Sequence, residues 1–277
     1  MKEEIEILTT ETVSDKLEKI AKIIREEIIK MLAEAGSGHT AGSLDMVEIL
    51  VAMYFNILKH NPRKPEWQDR DRLVLSHGHI CPALYAVMAE AGYFSKTELK
   101  TLRKFGSPLQ GHPHREWLKG LETSSGPLGS GLSQAIGMAL SARIDLSDQY
   151  FYCLMSDGEF QCGQTWEAMM LAGKEKLLNL IAIVDRNNIQ ISGPTEDVMP
   201  LEPFREKLEA FNWQVLEIDG HNFEQIIEAV KTAKKITDKP IIIIAHTIPG
   251  KGFAEFENDY KWHGKTPTLE QVKNLLK

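Results

Sequence analysis

The chain has 277 residues, a net charge of −7, 43% hydrophobic and 26% charged residues, enough for a large core in an ordinary soluble protein. Its acidity and the lack of any Lys/Arg block argue against a nucleic-acid partner or an anionic membrane surface. Cys81, Cys153 and Cys162 form no CxxC or disulfide-like spacing, the segment 1–14 is acidic without the apolar core of a signal peptide, and the longest apolar runs, such as 47–58, are too short and interrupted to span a bilayer. A reducing, cytoplasmic setting follows from the cysteines.

Asp15 and Glu18 have capping-box spacing and open an amphipathic helix with Leu17, Ile20, Ile24, Ile28, Met31 and Leu32 on one face. Ala35-Gly36 ends it, and the stripe reads as core packing. Gly36-Ser37-Gly38-His39-Thr40-Ala41-Gly42 follows, a small-residue loop with one histidine. A second helix is predicted over 44–58, then a polar, proline-bearing connection over 61–71. Residues 72–76 read as a short strand that meets His77-Gly78-His79. A helix over 82–91 comes next, and Ser95 and Glu98 cap another. The Gly/Pro-rich stretch 106–131 has no periodicity. Loops of that length in a compact domain are functional or disordered. His112, His114 and Gly126-Pro127-Leu128-Gly129-Ser130-Gly131 favour function here.

From Leu132 onward helix and strand alternate. The pattern is helix to 146, strand 151–155, helix 164–176, strand 180–184, helix 201–211, strand 214–218, helix 223–236 and strand 241–245. The strands are continuous apolar runs. The predicted fold is therefore α/β, a parallel β-sheet flanked by helices on both faces, as one domain over 1–277. Ligands of such sheets bind at the carboxyl ends of strands. His77-Gly78-His79, Asp157, Asn187 and the loop 247–252 all fall there. The weakly patterned segment 247–263 is placed to fold over a site.

Asp157 follows the apolar run 151–155, and Asn187 follows 180–184 thirty residues further on. A carboxylate and an amide oxygen are hard donors of the kind Mg2+ takes, with phosphate and water completing its octahedron. Gly158 leaves its backbone N–H open to a diphosphate oxygen. Either residue alone is as well explained by a helix cap or an Asn-Asn turn. Both at strand ends in consecutive β-α-β units point to a metal–diphosphate clamp. No GxxxxGK[ST] occurs, which excludes a P-loop. Gly129-Ser130-Gly131 lacks the third glycine of the dinucleotide fingerprint and follows a loop, which disfavours a nicotinamide cofactor. Of nine histidines, His39, His77, His79, His112 and His114 lie in Gly-rich loops and His263 in Trp262-His263-Gly264. Such a set suits proton transfer near neutral pH. His77, His79 and Cys81 also suggest zinc, but no matching ligand pair stands elsewhere at zinc-site spacing. His60, His221 and His246 read as structural, His221 within a turn and helix cap.

Taken in order, these motifs resemble the N-terminal, diphosphate-binding half of transketolase. They are Ser37-Gly38-His39-Thr40-Ala41-Gly42, Leu75-Ser76-His77-Gly78-His79, Gln110-Gly111-His112-Pro113, the segment from Ser125 to Ser133, Ser156-Asp157-Gly158-Glu159, Asp185-Arg186-Asn187-Asn188-Ile189, and His263-Gly264. The resemblance implies thiamine diphosphate and a divalent metal, Mg2+ or in its place Ca2+ or Mn2+. It implies Asp157, the Asn187 side chain and the Ile189 carbonyl as metal ligands. It puts His79, Gly158 and His263 on the diphosphate and counts Glu159 among the cofactor-binding residues. Gly126, Pro127 and Leu128 line the cofactor rings. His39, His79, His112 and His263 are the catalytic set that handles the sugar's hydroxyl protons. The implied reaction transfers a two-carbon ketol unit from a ketose phosphate to an aldose phosphate, with the cofactor as electron sink. Because the chain ends soon after His263-Gly264, the resemblance implies a split enzyme. A C-terminal partner subunit would carry the pyrimidine-facing glutamate and most phosphate-binding groups, in a heterotetramer. This chain alone would be inactive and bind cofactor weakly.

Several positions depart from the family pattern. Ser156 replaces a common glycine, Thr40 a proline, His77 a Lys or Asn, and His114 an Asp. Cys162 stands where relatives carry a glutamate that links cofactor sites across the subunit interface. Three rival readings share or abandon the cofactor. The α subunit of 2-oxo acid dehydrogenases has the Asp and Asn pair but lacks the SGH, HGH and WHG histidines. Deoxyxylulose-phosphate synthase continues into later domains on one chain. A non-catalytic paralogue that binds metal or a partner is favoured only by Cys162, and the complete histidine set points away from it.

Overall fold

The computed structural model describes residues 11–277. Residues 1–10, on which most of the signal-peptide reading falls, lie outside the described residues. Helix α1 (Val13–Ala35) starts earlier than its sequence suggests. Thr12, not Asp15, is the cap: Thr12 Oγ1 accepts the Asp15 N–H at 3.1 Å, and Asp15 Oδ2 accepts the Thr12 N–H at 2.8 Å. Asp15 is the far member of the capping box. Gly36 ends the helix in the left-handed region, at φ 63°.

The helix expected over 44–58 is three pieces: α2 (Ala41–Asp45), α3 (Val47–Ala52) and one π-helical turn over Met53–Ile57. Strand β1 (Arg72–Leu75) leads through a 3-10 turn into α4 (Cys81–Glu90). Ser95 caps a 3-10 segment, Lys96–Thr101. The stretch 106–130 holds no helix or strand. Then come α5 (Gly131–Ile144), β2 (Phe151–Ser156), α6 (Gly163–Glu175), β3 (Leu180–Arg186), β4 (Ile189–Gln190), β5 (Gly193–Pro194), α7 (Thr195–Val198), α8 (Phe204–Ala210), β6 (Gln214–Asp219), α9 (Phe223–Ala233), β7 (Ile241–His246) and α10 (Leu269–Leu275). Helix α8 begins at 204 rather than 201 because Pro203 keeps the residue before it out of helical conformation. The two-residue strands β4 and β5 are too short to show periodicity. Helix α10 opens on a Thr268/Gln271 capping box, whose spacing the sequence also displays.

Strands β1, β2, β3, β7 and β6 form one parallel sheet in that order. Alternate residues serve opposite cores. Tyr152, Leu154, Ile181, Ile183, Ile241 and Ile243 pack with α1, α3, α4 and α9, whereas Phe151, Cys153, Met155, Ala182, Val184 and Ile244 pack with α5, α6 and α8. Covering both faces is what turns the strands into unbroken apolar runs. All carboxyl ends meet at one edge. The register pairs Ser156 with Asp185 and Asp185 with Ala245, which aligns the residues just beyond them.

Candidate active site

Strand β2 delivers Asp157 to that edge and β3 delivers Asn187. Asp157 is buried, and its Oδ2 accepts from Arg186 Nη1 at 2.9 Å, the Asn188 N–H at 3.0 Å and Thr195 Oγ1 at 3.3 Å. Oδ1 stands outside that set. Arg186 also pairs with Glu196 and Glu202, at 2.8 and 2.9 Å. Burial pushes the Asp157 carboxyl above its ordinary value, against the pull of Arg186 and the backbone N–H groups. The Asn187 amide is fully engaged on its nitrogen: Nδ2 donates to Asp45 Oδ2 and to Asp185 Oδ2, each at 3.0 Å. Oδ1 accepts the Ile189 N–H at 3.1 Å. The Ile189 N–H can only donate, so it fixes which end of the Asn187 amide is the oxygen and leaves the NH2 group to the two acids. Thr247, just past β7, donates its hydroxyl to Asp185 Oδ1. Burial raises Asp45 well above the usual carboxylate range and Asp185 to about 7.

Beside this pair, three imidazoles meet. Ring centroids of His39 and His79 are 4.8 Å apart, of His79 and His263 5.4 Å, and of His39 and His263 5.6 Å. His77 stands edge-on to His79 at 5.9 Å. His112 packs on the Gly126 backbone, where an added Cβ would lie 3.5 Å from its Cγ. His114 instead leans on Trp117, at 5.0 Å. Burial, then the nearby His263, Arg103 and His112, pushes His39 down to about 4. Burial takes His77 to about 4, against its bond to Leu154, and alone lowers His263; burial first, then the neighbouring imidazoles for His79 and Arg103 for His112, hold those two below the ordinary value. His39 and His77 are therefore neutral bases at pH 7. His77 Nδ1 lies 3.0 Å from the Leu154 carbonyl, so Nδ1 carries the proton and Nε2 the lone pair. Cys81 Sγ donates to the Gln110 and Gly111 carbonyls, and burial raises it to about 12. A thiol so disposed is a poor zinc ligand. Among the described residues no three His, Cys, Asp or Glu gather in a metal-binding arrangement. A cation here depends on oxygen donors such as an amide, a carbonyl and phosphates.

Glu159 does not offer its side chain to a cofactor. The carboxylate turns inward, fully buried, and accepts from the Ser76 hydroxyl, the Gly129 N–H at 2.6 Å and the Ser156 N–H at 3.0 Å. It ties the glycine loop 126–131 to β1 and β2. Gly126 and Gly129 adopt φ 149° and 82°, conformations that side chains resist. Cys162 is half-buried beneath that loop, its Cβ 2.9 Å from where a Gly129 Cβ would sit. Around Gly158 nothing lies within 4 Å of an added Cβ, so its backbone is open to a ligand.

The histidines read as structural have partners. His60 lies between Tyr93 OH at 2.9 Å and the Tyr54 carbonyl at 2.7 Å, and His246 Nε2 meets Glu217 at 2.9 Å. His221 Nδ1 faces Glu48 at 3.0 Å, and its Nε2 accepts the Ile248 N–H at 2.8 Å. Among the described residues, polar atoms around the site that are buried without a partner include His39 Nδ1, His263 Nδ1, His77 Nε2, Ser125 Oγ and Asp45 Oδ1. Native proteins rarely leave such groups unpaired. Thiamine diphosphate with a divalent cation fits these residues, since it brings polar atoms to the orphans, oxygens to the cation and a diphosphate to the open Gly158 backbone. Sequence reasoning misses Asp45, Asp185, Arg186, Thr195 and Thr247. Asp185 and Arg186 sit in the Asn187 motif, and Asp45 is the lone charge in Leu44-Asp45-Met46-Val47.

A doubly covered parallel sheet with oxygen donors and neutral imidazoles at its carboxyl edge defines an α/β domain built to hold a polar ligand there. Residues 16–277 match the family described as "Transketolase, thiamine diphosphate binding domain". The chain belongs to the transketolase family, as its thiamine diphosphate-binding N-terminal part. It is 42% identical over 257 residues to the 6-deoxy-6-sulfo-D-fructose transketolase subunit SqwG of Clostridium sp. (strain MSTE9), covering 93% of this chain and 94% of that one. It is also 42% identical over 253 residues to an apulose-4-phosphate transketolase subunit of Phocaeicola vulgatus, covering 91% and 90%. Human transketolase is 38% identical over 261 residues, and the match spans 94% of this chain but 41% of that one. Among solved structures, transketolase from Campylobacter jejuni superposes with a TM-score of 0.87 at 38% identity, over 94% of this chain and 42% of that chain. Among the described residues no helix is long and apolar enough to cross a membrane.

Proposed function

We infer that this chain is the N-terminal subunit of a split transketolase. It holds the diphosphate of thiamine diphosphate through Mg2+ and, with a C-terminal partner subunit, moves a two-carbon ketol unit from a ketose phosphate to an aldose phosphate. The observation that carries this reading is the trio His39, His79 and His263, with centroids within 5.6 Å, brought to the Asn187 cluster at Gly42, where an added Cβ would lie 4.0 Å from both His79 Nε2 and the Asp45 carboxyl that binds Asn187. When bound, the cofactor supplies the electron sink for the two-carbon unit.

The protein's own groups do the rest. Asp157, the Asn187 amide oxygen and the Ile189 carbonyl hold the cation. His79, Gly158 and His263 take the diphosphate, and Gly126, Pro127 and Leu128 line the rings. His39, His112 and His263, with His79, exchange protons with the sugar hydroxyls. A base that is neutral at pH 7 accepts a proton without first shedding one. An imidazolium formed among other imidazoles, in a buried site, gives its proton up readily. Both properties suit a reaction that removes one hydroxyl proton and returns another.

The partner is supported by the relatives. Those that match end to end are named as subunits, whereas the human enzyme is more than twice this chain's matched length. The names of these two relatives also place an acidic group, a sulfonate or a phosphate, on the sugars of those proteins. That supports an acidic sugar here, most simply a sugar phosphate. A heterotetramer of two of each chain is the proposed assembly, and three free cysteines suit the cytoplasm. The test mixes this chain with its C-terminal partner, thiamine diphosphate and Mg2+, and follows two-carbon transfer between sugar phosphates. Turnover by the pair and none by either chain alone is the expected result. Robust turnover by this chain alone refutes the split. An assembly that binds cofactor but transfers nothing between sugar phosphates refutes the reaction.

A further inference from the structure

Asp45 closes α2 and is fully buried, 142 residues from Asn187 in the chain. A carboxyl group in that position is costly. The main influences on it are burial, the acids Asp185 and Asp157 and the Asn187 amide, and its Oδ1 has no hydrogen-bond partner. A buried carboxyl group without a cationic partner is itself costly, and an apolar side chain of similar volume avoids that cost. Packing therefore gives no reason for an acid there. Its one ordinary hydrogen bond is to the Asn187 amide, and the Asp185 carboxyl stands beside it on the same amide. That amide has two N–H groups; Asp45 Oδ2 takes one and Asp185 Oδ2 the other, each at 3.0 Å. An amide bound on both N–H groups resists flipping and swinging, and its oxygen keeps a lone pair beyond the Ile189 N–H.

We propose that Asp45 is a positioning residue that locks the Asn187 amide so that its oxygen faces the divalent cation. This rests on the reading of Asn187 as a metal ligand. The lock also joins two parts of the site. Asp45 shares α2 with Ser43, whose hydroxyl donates to the His39 carbonyl at 2.6 Å, and Thr40 Oγ1 donates to the Lys265 carbonyl at 2.5 Å. The metal ligand, the loop bearing His39 and the segment bearing His263 are thus tied into one unit through Asp45.

The test measures Mn2+ binding by electron paramagnetic resonance on the assembled complex with excess thiamine diphosphate, beside thermal unfolding. Asp45→Leu removes the acceptor at similar volume, and Mn2+ affinity is expected to fall about tenfold, the usual effect of losing an outer-shell partner. Its melting temperature stays level or rises, because a buried acid has gone. Asp45→Asn keeps a carbonyl oxygen for the Asn187 N–H and restores affinity to within about twofold of wild type. Asp157→Asn serves as the control for the site itself. If Asp157→Asn loses Mn2+ while Asp45→Leu binds it normally, Asp45 is not a positioning residue. Equal losses in Asp45→Leu and Asp45→Asn also overturn the proposal. Normal Mn2+ binding by Asp157→Asn, or no cofactor-dependent site in the wild type, overturns the metal reading and this proposal with it. Should Asp45→Leu fail to fold, Asp45→Ala is read by the same criteria.

Discussion

Truncating Glu159 to alanine removes the one acceptor shared by Ser76, Gly129 and Ser156. The Ser76 hydroxyl can rotate to another acceptor, but the two backbone N–H groups cannot. Each buried donor left unsatisfied costs about 1–3 kcal/mol. Two such donors give about 2–6 kcal/mol, and release of a buried carboxylate whose pKa burial already raises offsets part of it. The expected net loss is about 3 kcal/mol, a large share of the roughly 5–15 kcal/mol that holds a typical domain. Urea unfolding of the full chain without cofactor, followed by circular dichroism, reads this directly. Glu159→Gln keeps an oxygen for Ser76 and Gly129 but sets its NH2 group against the Ser156 N–H, so it loses about 1–2 kcal/mol. Amide exchange at Gly129 should quicken most, because its N–H loses a 2.6 Å bond. A Glu159→Ala protein within about 1 kcal/mol of wild type refutes the reasoning, and so does a larger loss with Gly129 exchange unchanged.

Three further outcomes follow from the same geometry. Gly158→Ala meets nothing within 4 Å, so stability should hold within about 0.5 kcal/mol while thiamine diphosphate affinity drops; unchanged affinity would remove the diphosphate from this backbone. Nitrogen-correlated NMR of the imidazoles should show His39 and His77 still neutral at pH 6, with midpoints near 4; a midpoint near 6.5 for either contradicts its burial. The sign for stability follows, since between pH 6.5 and 4 the unfolded chain takes up protons that these two folded histidines refuse, so each contributes a loss of stability on acidification through that window. Cys162→Glu, which introduces the glutamate that the family resemblance implies at this position, should strengthen assembly or activity, and no change in either counts against a role in coupling the sites.

The strands and their order in the chain are legible because burial on both faces writes each as an unbroken apolar run. Asp157 and Asn187 are legible for the same reason, since each follows such a run directly. The loop histidines stand out by their glycine neighbours. What stays hidden is set by contacts distant in sequence. The run 44–58 is apolar throughout and reads as one helix, yet the backbone breaks at Met46, where φ is −87° and ψ 6°. Asp45 looks incidental because its partner lies 142 residues away. Glu159 reads as a cofactor contact because it follows Asp157 and Gly158, whereas the turn after β2 points its carboxylate inward. The proton position on His77 depends on the Leu154 carbonyl of the neighbouring strand, which only the register supplies. Thr12 escapes notice because Asp15 and Glu18 offer an equally plausible box three residues later.

The register that pairs Ser156 with Asp185 and Asp185 with Ala245 also has a kinetic side. Thr247 meets Asp185 across 62 residues and Asn187 meets Asp45 across 142. Such long closures form late and slow a chain's search. Until those contacts close, the Asn187 amide lacks Asp45 and Asp185 lacks Thr247, so the edge is not yet set for a ligand. Cofactor captured at the edge therefore favours the finished fold over every partial one, by RT ln(1 + [L]/Kd).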